Sequence, residues 1–306
     1  MSVKNEFGDE VTVIAQKLES FSTNSNDSPL ENRSRSTMSM SPMSPMDHHS
    51  EEKLKADVSN EKKKYLLETK MLIINVPEKI LFIIDATQES KITPFELESG
   101  KKLLPLPLIR KAVEMFVHTK STISRSHEYA VMSLNGDVPK WICSFTNNIK
   151  QVINSLGSVM QTQTLDEDQN ICDLSACFKM VMDNLELEEY LTIPKFVNRV
   201  ILIYGRSQTV TSISDSTYFD LLVRHPYVFL DALYVHESPT EDNESEKVYG
   251  ELQRLDTKNN SFILEVGRKA AELFSSMAML VAHSLQRPNQ NATNYTITLS
   301  DNSTDV

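Results

Sequence analysis

Lys79-Ile80-Leu81-Phe82-Ile83-Ile84-Asp85 is the stretch that decides the fold. Five consecutive apolar residues, mostly β-favouring, end on a carboxylate, and the polar stretch Ala86-Thr87-Gln88-Glu89-Ser90 follows. A short continuous apolar run bounded by polar residues reads as a strand covered on both faces. In open α/β sheets, functional groups gather just past the carboxyl ends of the strands, and Asp85 stands at that point.

Working outward, Asn198 to Tyr204 and Tyr227 to Val235 repeat the same character and read as further central strands. Asp231, inside the second of these, is expected to turn toward a polar neighbour. Glu128 to Leu134 reads as another strand. Asn135-Gly136-Asp137 then signals a hairpin, with Lys140 to Cys143 as the short return strand. Ser261 to Val266 is a last, shorter strand. Between them, Leu108 to Thr119 carries Leu108, Ile109, Ala112, Val113, Phe116 and Val117 along one helical stripe. Helices are also expected at Asn147 to Met160 (capped by Thr146), Leu174 to Leu185 (capped by Asp173), from Ser214 or Asp215 to Val223, at Val248 to Leu255 and at Val266 to His283. Strands alternating with helices make this an α/β chain with a doubly wound, mostly parallel sheet and one antiparallel edge strand. The fold begins near Asn75.

Three regions follow. Residues 1–74 are a Ser-rich and charged N-terminal tail, too poor in apolar residues to offset its ordering entropy, and expected to be disordered. Ser28, Ser41 and Ser44 each precede a proline there and are candidate sites of proline-directed phosphorylation. Residues 75–283 are the folded domain. Residues 284–306 are a polar C-terminal tail.

The chain has 306 residues, of which 40% are hydrophobic and 24% charged, in the range of ordinary soluble proteins. Its net charge of −11 disfavours general binding to nucleic acid or to an anionic membrane. Gly occurs only 7 times, and neither G-x-G-x-x-G nor G-x-x-x-x-G-K-[ST] is present. Cys143, Cys172 and Cys177 are too few and too scattered for a disulfide framework, and Cys172 and Cys177 lack zinc spacing. No Ser-His-Asp order or nucleophile elbow stands out. With no apolar leader and no run near the roughly 18–20 apolar residues of a membrane span, a reducing compartment is expected, cytoplasmic and nuclear.

The order of elements is also that of a von Willebrand factor A domain. Met115-Phe116-Val117-His118-Thr119-Lys120, Ser126-His127-Glu128-Tyr129-Ala130 and Leu285-Gln286-Arg287-Pro288 resemble the scaffold-subunit family of the BRISC and BRCA-one A deubiquitinase complexes. So do Lys79 to Glu89, Arg199 to Arg206, Phe229 to His236 and Leu255 to Lys258. The resemblance spans roughly residues 75 to 290.

Many A domains hold a divalent cation on three loops: D-x-S-x-S, a Thr, and an Asp in a T-D-G turn. Hard Mg²⁺ demands such oxygen ligands. Here the first loop reads Asp85-Ala86-Thr87-Gln88-Glu89, so Glu89 replaces the second hydroxyl. The second, near Asn170 to Asp173, has no Thr. The third reads Tyr204-Gly205-Arg206, so Gly205 stands without the carboxylate and a guanidinium is one residue away. No metal and no other cofactor is expected. Asp85 should pair with Arg206 or cap neighbouring N–H groups, leaving Asp85, Thr87, Glu89 and Gly205 as a degenerate site.

The resemblance implies a non-catalytic scaffold of a multi-subunit assembly that removes non-degradative ubiquitin chains in ubiquitin signalling and the DNA-damage response. Its direct partner would be the ubiquitin-conjugating-enzyme-like core subunit. The zinc deubiquitinase and its pseudo-enzyme partner would be reached indirectly. The zinc-deubiquitinase motif E…H-x-H…S-x-x-D is absent from this chain. The contact is expected at Leu285 (an apolar anchor), Gln286, Arg287 (a planar multi-donor group) and Pro288 (a pre-extended backbone). The alternative is a ubiquitin- or ligand-binding A domain of another assembly.

Overall fold

The computed structural model describes residues 75–90, 92–97, 99–163, 170–188 and 194–292. The N-terminal tail with its Ser-Pro sites, and the last part of the C-terminal tail, lie outside the described residues.

The strands in chain order are β1 (Glu78–Asp85), β2 (Thr87–Gln88), β3 (Phe95–Glu96), β4 (Lys102–Leu103), β5 (Glu128–Asn135), β6 (Val138–Thr146), β7 (Thr162–Gln163), β8 (Ile171–Asp173), β9 (Val197–Tyr204), β10 (Val210–Ser212), β11 (Val228–Val235) and β12 (Ile263–Val266). The helices are α1 (Pro105–Ile123), α2 (Ile149–Gly157), α3 (Ser175–Asn184), α4 (Thr217–Arg224), α5 (Ser245–Gln253) and α6 (Ala270–Met279). Six strands form one sheet in the order β12-β11-β9-β1-β5-β6. All neighbours are parallel except β5 and β6, which form the expected hairpin, with Gly136 at φ 65° in its turn.

β1 lies at the centre because its side chains are apolar on both faces. Leu81 and Ile83 join Met132, Leu202 and Ala232 under Phe178, Phe219, Leu222, Val248 and Leu252 of α3, α4 and α5. On the other face, Phe82 meets Phe116 of α1 edge to face, ring centroids 5.3 Å apart.

Several boundaries differ from the sequence expectation. α1 starts at Pro105, because proline is tolerated in a first turn whose N–H groups have no intrahelical partner. The cap of α2 is Asn148, whose side chain accepts from the Gln151 N–H, while Thr146 accepts from Asn148 one step earlier. α6 is shorter than expected at both ends. Val266 is the last residue of β12 and pairs with Val235, and His283 bonds the Val76 carbonyl instead of prolonging the helix. The two- and three-residue strands β2, β3, β4, β7, β8 and β10 are too short to show a period in sequence.

Candidate functional site

At the carboxyl end of the sheet, β1 delivers Asp85 and the neighbouring β9 delivers Gly205 and Arg206. Arg206 Nε donates to Asp85 Oδ2 at 3.0 Å, and both side chains are buried. The same carboxylate accepts the N–H groups of Gly205 at 3.2 Å and of Thr87 at 3.2 Å. Both expected arrangements of Asp85, pairing and capping, are therefore present together. The Arg206 guanidinium also donates to the Gly136 carbonyl, lies 3.2 Å from Cys172 Sγ and stands over the Tyr204 ring at 5.0 Å. Burial alone would lower the Arg206 pKa, but Asp85 overrides it and holds the guanidinium charged.

Thr87 Oγ1 accepts from the Gly136 N–H at 2.7 Å, so its hydroxyl ties two loops together. Glu89 is buried and accepts from the N–H groups of Ser207, Gln208 and Thr209 and from the Thr209 hydroxyl. Four donors therefore satisfy this buried carboxylate. A Cβ on Gly205 would lie 3.9 Å from Asp85 Oδ2, so a side-chain carboxylate there would confront Asp85. Among the described residues, no group of three His, Cys, Asp or Glu is placed to hold a metal ion. Burial pushes the Cys172 thiol up to about 11 and Cys177 higher still, which keeps both as inert thiols.

The amino end of the sheet carries a second charge cluster that the sequence did not disclose. Glu78, at the start of β1, pairs with Lys120 of α1 and lies 3.7 Å from Arg199 of β9. Arg199 Nε donates to Asp231 of β11 at 2.7 Å. Arg287 pairs with the same Asp231, donates to the Asn260 carbonyl at 2.9 Å and stacks over Phe262 at 4.2 Å. Burial would raise the Glu78 pKa, but Lys120 and Arg199 hold it well below the usual carboxylate range. Asp231 is likewise lowered, against burial, by Arg199 and Arg287. His127 accepts from the Glu78 N–H, and its pKa is lowered to about 4 by burial and then by Lys120.

The same geometry shows how the first residues after His283 are held. Residues 284–290 are bonded onto the domain. Ser284 donates through N–H and hydroxyl to Glu78, and the Gln290 side-chain amide bonds both the N–H and the carbonyl of Ile263 on the edge strand β12. Arg287 is buried, and its charge is answered inside the fold by Asp231. Leu285 is half-buried, and Gln286 and Pro288 are exposed. Sequence reasoning missed Glu78, Lys120 and Arg199. A signal was nevertheless present, because Lys120, His127 and Arg287 each sit in one of the three strings on which the resemblance rests, and those residues converge on Glu78 and Asp231.

No family model matches the chain. It is similar to curated proteins called BRISC and BRCA1-A complex member 1. That from Danio rerio is 31% identical, over 73% of this chain and 61% of its own length. That from Xenopus laevis is 31% identical, over 73% and 69%, and that from Homo sapiens 32% identical, over 73% and 69%. Among solved structures, the SpRpn10 VWA domain is 10% identical, over 70% of this chain and 99% of that one, with a TM-score of 0.43. The TFIIH p34 N-terminal domain is 16% identical, over 67% and 97%, also at 0.43.

Proposed function

Because this chain belongs to the BRISC and BRCA1-A complex member 1 family, we propose that it is a non-catalytic scaffold subunit of a multi-subunit deubiquitinase complex, working without a metal ion. The observation that carries this reading is the engagement of Asp85 by Arg206 at the one place where such a sheet would gather reactive or metal-binding groups. A cation there would meet a buried guanidinium, which repels it. Glu89, the other acidic group, has four hydrogen-bond donors of its own. The abandoned site serves as a brace between loops.

The direct partner in this reading is the ubiquitin-conjugating-enzyme-like core subunit, with the zinc deubiquitinase and its pseudo-enzyme companion reached through it. The setting is ubiquitin signalling and the DNA-damage response, in cytoplasm and nucleus. The contact surface includes Leu285, Gln286 and Pro288, presented on a segment that Arg287 anchors from behind. Anchoring lowers the ordering cost of binding.

The test is co-purification of tagged full-length chain with the deubiquitinase subunits, followed by a polyubiquitin cleavage assay on the eluate. Wild type should bring down an active assembly. Leu285→Ala, Gln286→Ala and Pro288→Ala together should reduce capture of the core subunit severalfold with an unchanged melting temperature. Full capture by that variant would remove the tail from the interface, and an inactive lone chain in the wild-type eluate would remove the scaffold reading.

A further inference from the structure

The three most exposed large apolar side chains among the described residues are Met160 (71%), Val138 (62%) and Ile171 (59%). They are far apart in sequence, but the fold gathers their segments at the tip of the β5–β6 hairpin. Val138 follows the hairpin turn. Ile171 precedes Cys172, whose thiol contacts the Gly136 carbonyl of that turn at 3.3 Å. Met160 lies two residues before Thr162, whose hydroxyl bonds the Asn135 side chain at 3.2 Å and whose N–H bonds the Ala86 carbonyl at 2.9 Å. Arg206 braces the same turn through Gly136. The apolar groups therefore stand on a platform fixed from below, where a partner could bind without first ordering it.

The surroundings of this patch are acidic. Asp137 adjoins Val138. Asp173 lies two residues along β8 from Ile171, so both point to the same side of the strand. Burial alone would raise the Asp173 carboxyl, but the hydrogen bonds from Ser175 and Ser214 together outweigh it and pull it down to about 2, so it stays ionised. Asp215 is exposed beside Ser175, and Lys140 is the opposing charge on β6. A second copy of the chain would bring an equally acidic rim and a net charge of −11 against this one, which opposes self-association.

We propose that Val138, Met160 and Ile171 form a docking surface for an apolar protein segment flanked by Lys or Arg, presented as one face of an amphipathic helix. Apolar anchors at i, i+3, i+4 and i+7 suit a small rigid patch, and basic flanks suit its rim. The surface lies at the opposite end of the sheet from Leu285 to Pro288 and does not depend on the scaffold reading.

The probe is a fluorescein-labelled amphipathic helix with Leu at helical spacing and Lys on its other face, titrated with the full-length chain by anisotropy. A control peptide carries Glu in place of Lys. The Lys peptide should bind about tenfold more tightly than the Glu peptide, and less tightly as salt is raised. Val138→Ser, Met160→Ser and Ile171→Ser combined should weaken the Lys peptide about tenfold while leaving the circular dichroism unchanged. Asp137→Lys with Asp215→Lys should reverse the preference between the peptides. Equal binding of the two peptides, or an unchanged affinity in the apolar triple variant, would overturn the proposal. A concentration-dependent dimer in sedimentation that the triple variant abolishes would also overturn it, by assigning the patch to a second copy.

Discussion

The two ends of the sheet solve the same problem at different ranges. Each buries charge that must be answered from within the protein. At the carboxyl end, one guanidinium answers Asp85 and loop donors answer Glu89, and Asp85 and Arg206 end or follow strands that lie side by side. Backbone N–H groups from the same loops complete the shell. At the amino end, Lys120, Arg199 and Arg287 face Glu78 and Asp231, brought from five separate segments between residues 78 and 287. The first arrangement braces loops that already adjoin. The second closes the domain, because Arg287 and Ser284 reach their partners only when residues 284–287 lie against the start of β1 and the middle of β11. Buried ion pairs are a weak source of stability against apolar alternatives, yet removing one member is costly. The difference between the ends should therefore appear when members are removed singly.

The largest effect is expected from ending the chain after Ala282. This removes His283, Ser284, Arg287 and Gln290 at once and leaves Asp231 and Glu78 short of partners. A loss of at least about 5 kcal/mol, enough to abolish cooperative unfolding in a marginally stable domain, should be seen in urea titration. If the shorter chain is equally stable, the closing role of the amino end is wrong.

Next comes the direct contrast of the two ends by single substitution. Asp231→Ala leaves two buried guanidinium groups facing each other and should cost about 3–5 kcal/mol. Arg206→Ala leaves Asp85 with the Gly205 and Thr87 N–H groups and should cost less, about 2–3 kcal/mol. Isothermal calorimetry with Mg²⁺ should show no micromolar binding in the wild type. The reverse order of stabilities would show that the carboxyl end, not the amino end, holds the domain shut.

The smallest effect is the pH dependence, and it sharpens the contrast by locating acid sensitivity at the amino end. His127 and His283 are both lowered by burial, the former to about 4. In the unfolded chain each would take up a proton near pH 6.5. Their stabilising share is complete above that pH and is lost as pH falls below it, for His127 down to about 4. Glu78, held low in the fold, adds a further loss below the ordinary carboxylate range. Melting temperature should fall by a few degrees between pH 7 and pH 5, and His127→Gln should flatten that slope. An unchanged slope would move the acid sensitivity elsewhere.

Much of the fold was legible from the residues. The apolar runs at Ile80 to Ile84, Asn198 to Tyr204 and Tyr227 to Val235 could be satisfied only by strands covered on both faces. Asn135-Gly136-Asp137 could be satisfied only by a tight turn, because Gly136 adopts a left-handed conformation there. The candidate site was legible in part. Asp85 and Arg206 each end or follow an obvious strand, and adjacent parallel strands bring their ends together. The burial of Arg287 was not legible, because a polar terminal stretch carries no periodic mark of burial. Nothing near it in sequence shows that Asp231, 56 residues earlier, is waiting for a second cation.

By itself the sequence determined the strand and helix succession, since hydrophobic period is a local property of the chain, and it determined that Gly205 and Glu89 depart from a metal-binding pattern. Only the tertiary structure decided where the ionic groups found their partners and which apolar side chains were left outside. Whether a charge is desolvated, and what answers it, depends on segments that meet only when the sheet has formed. Lys120, Arg199 and Arg287 became one cluster, and Val138, Met160 and Ile171 one patch, only through that meeting.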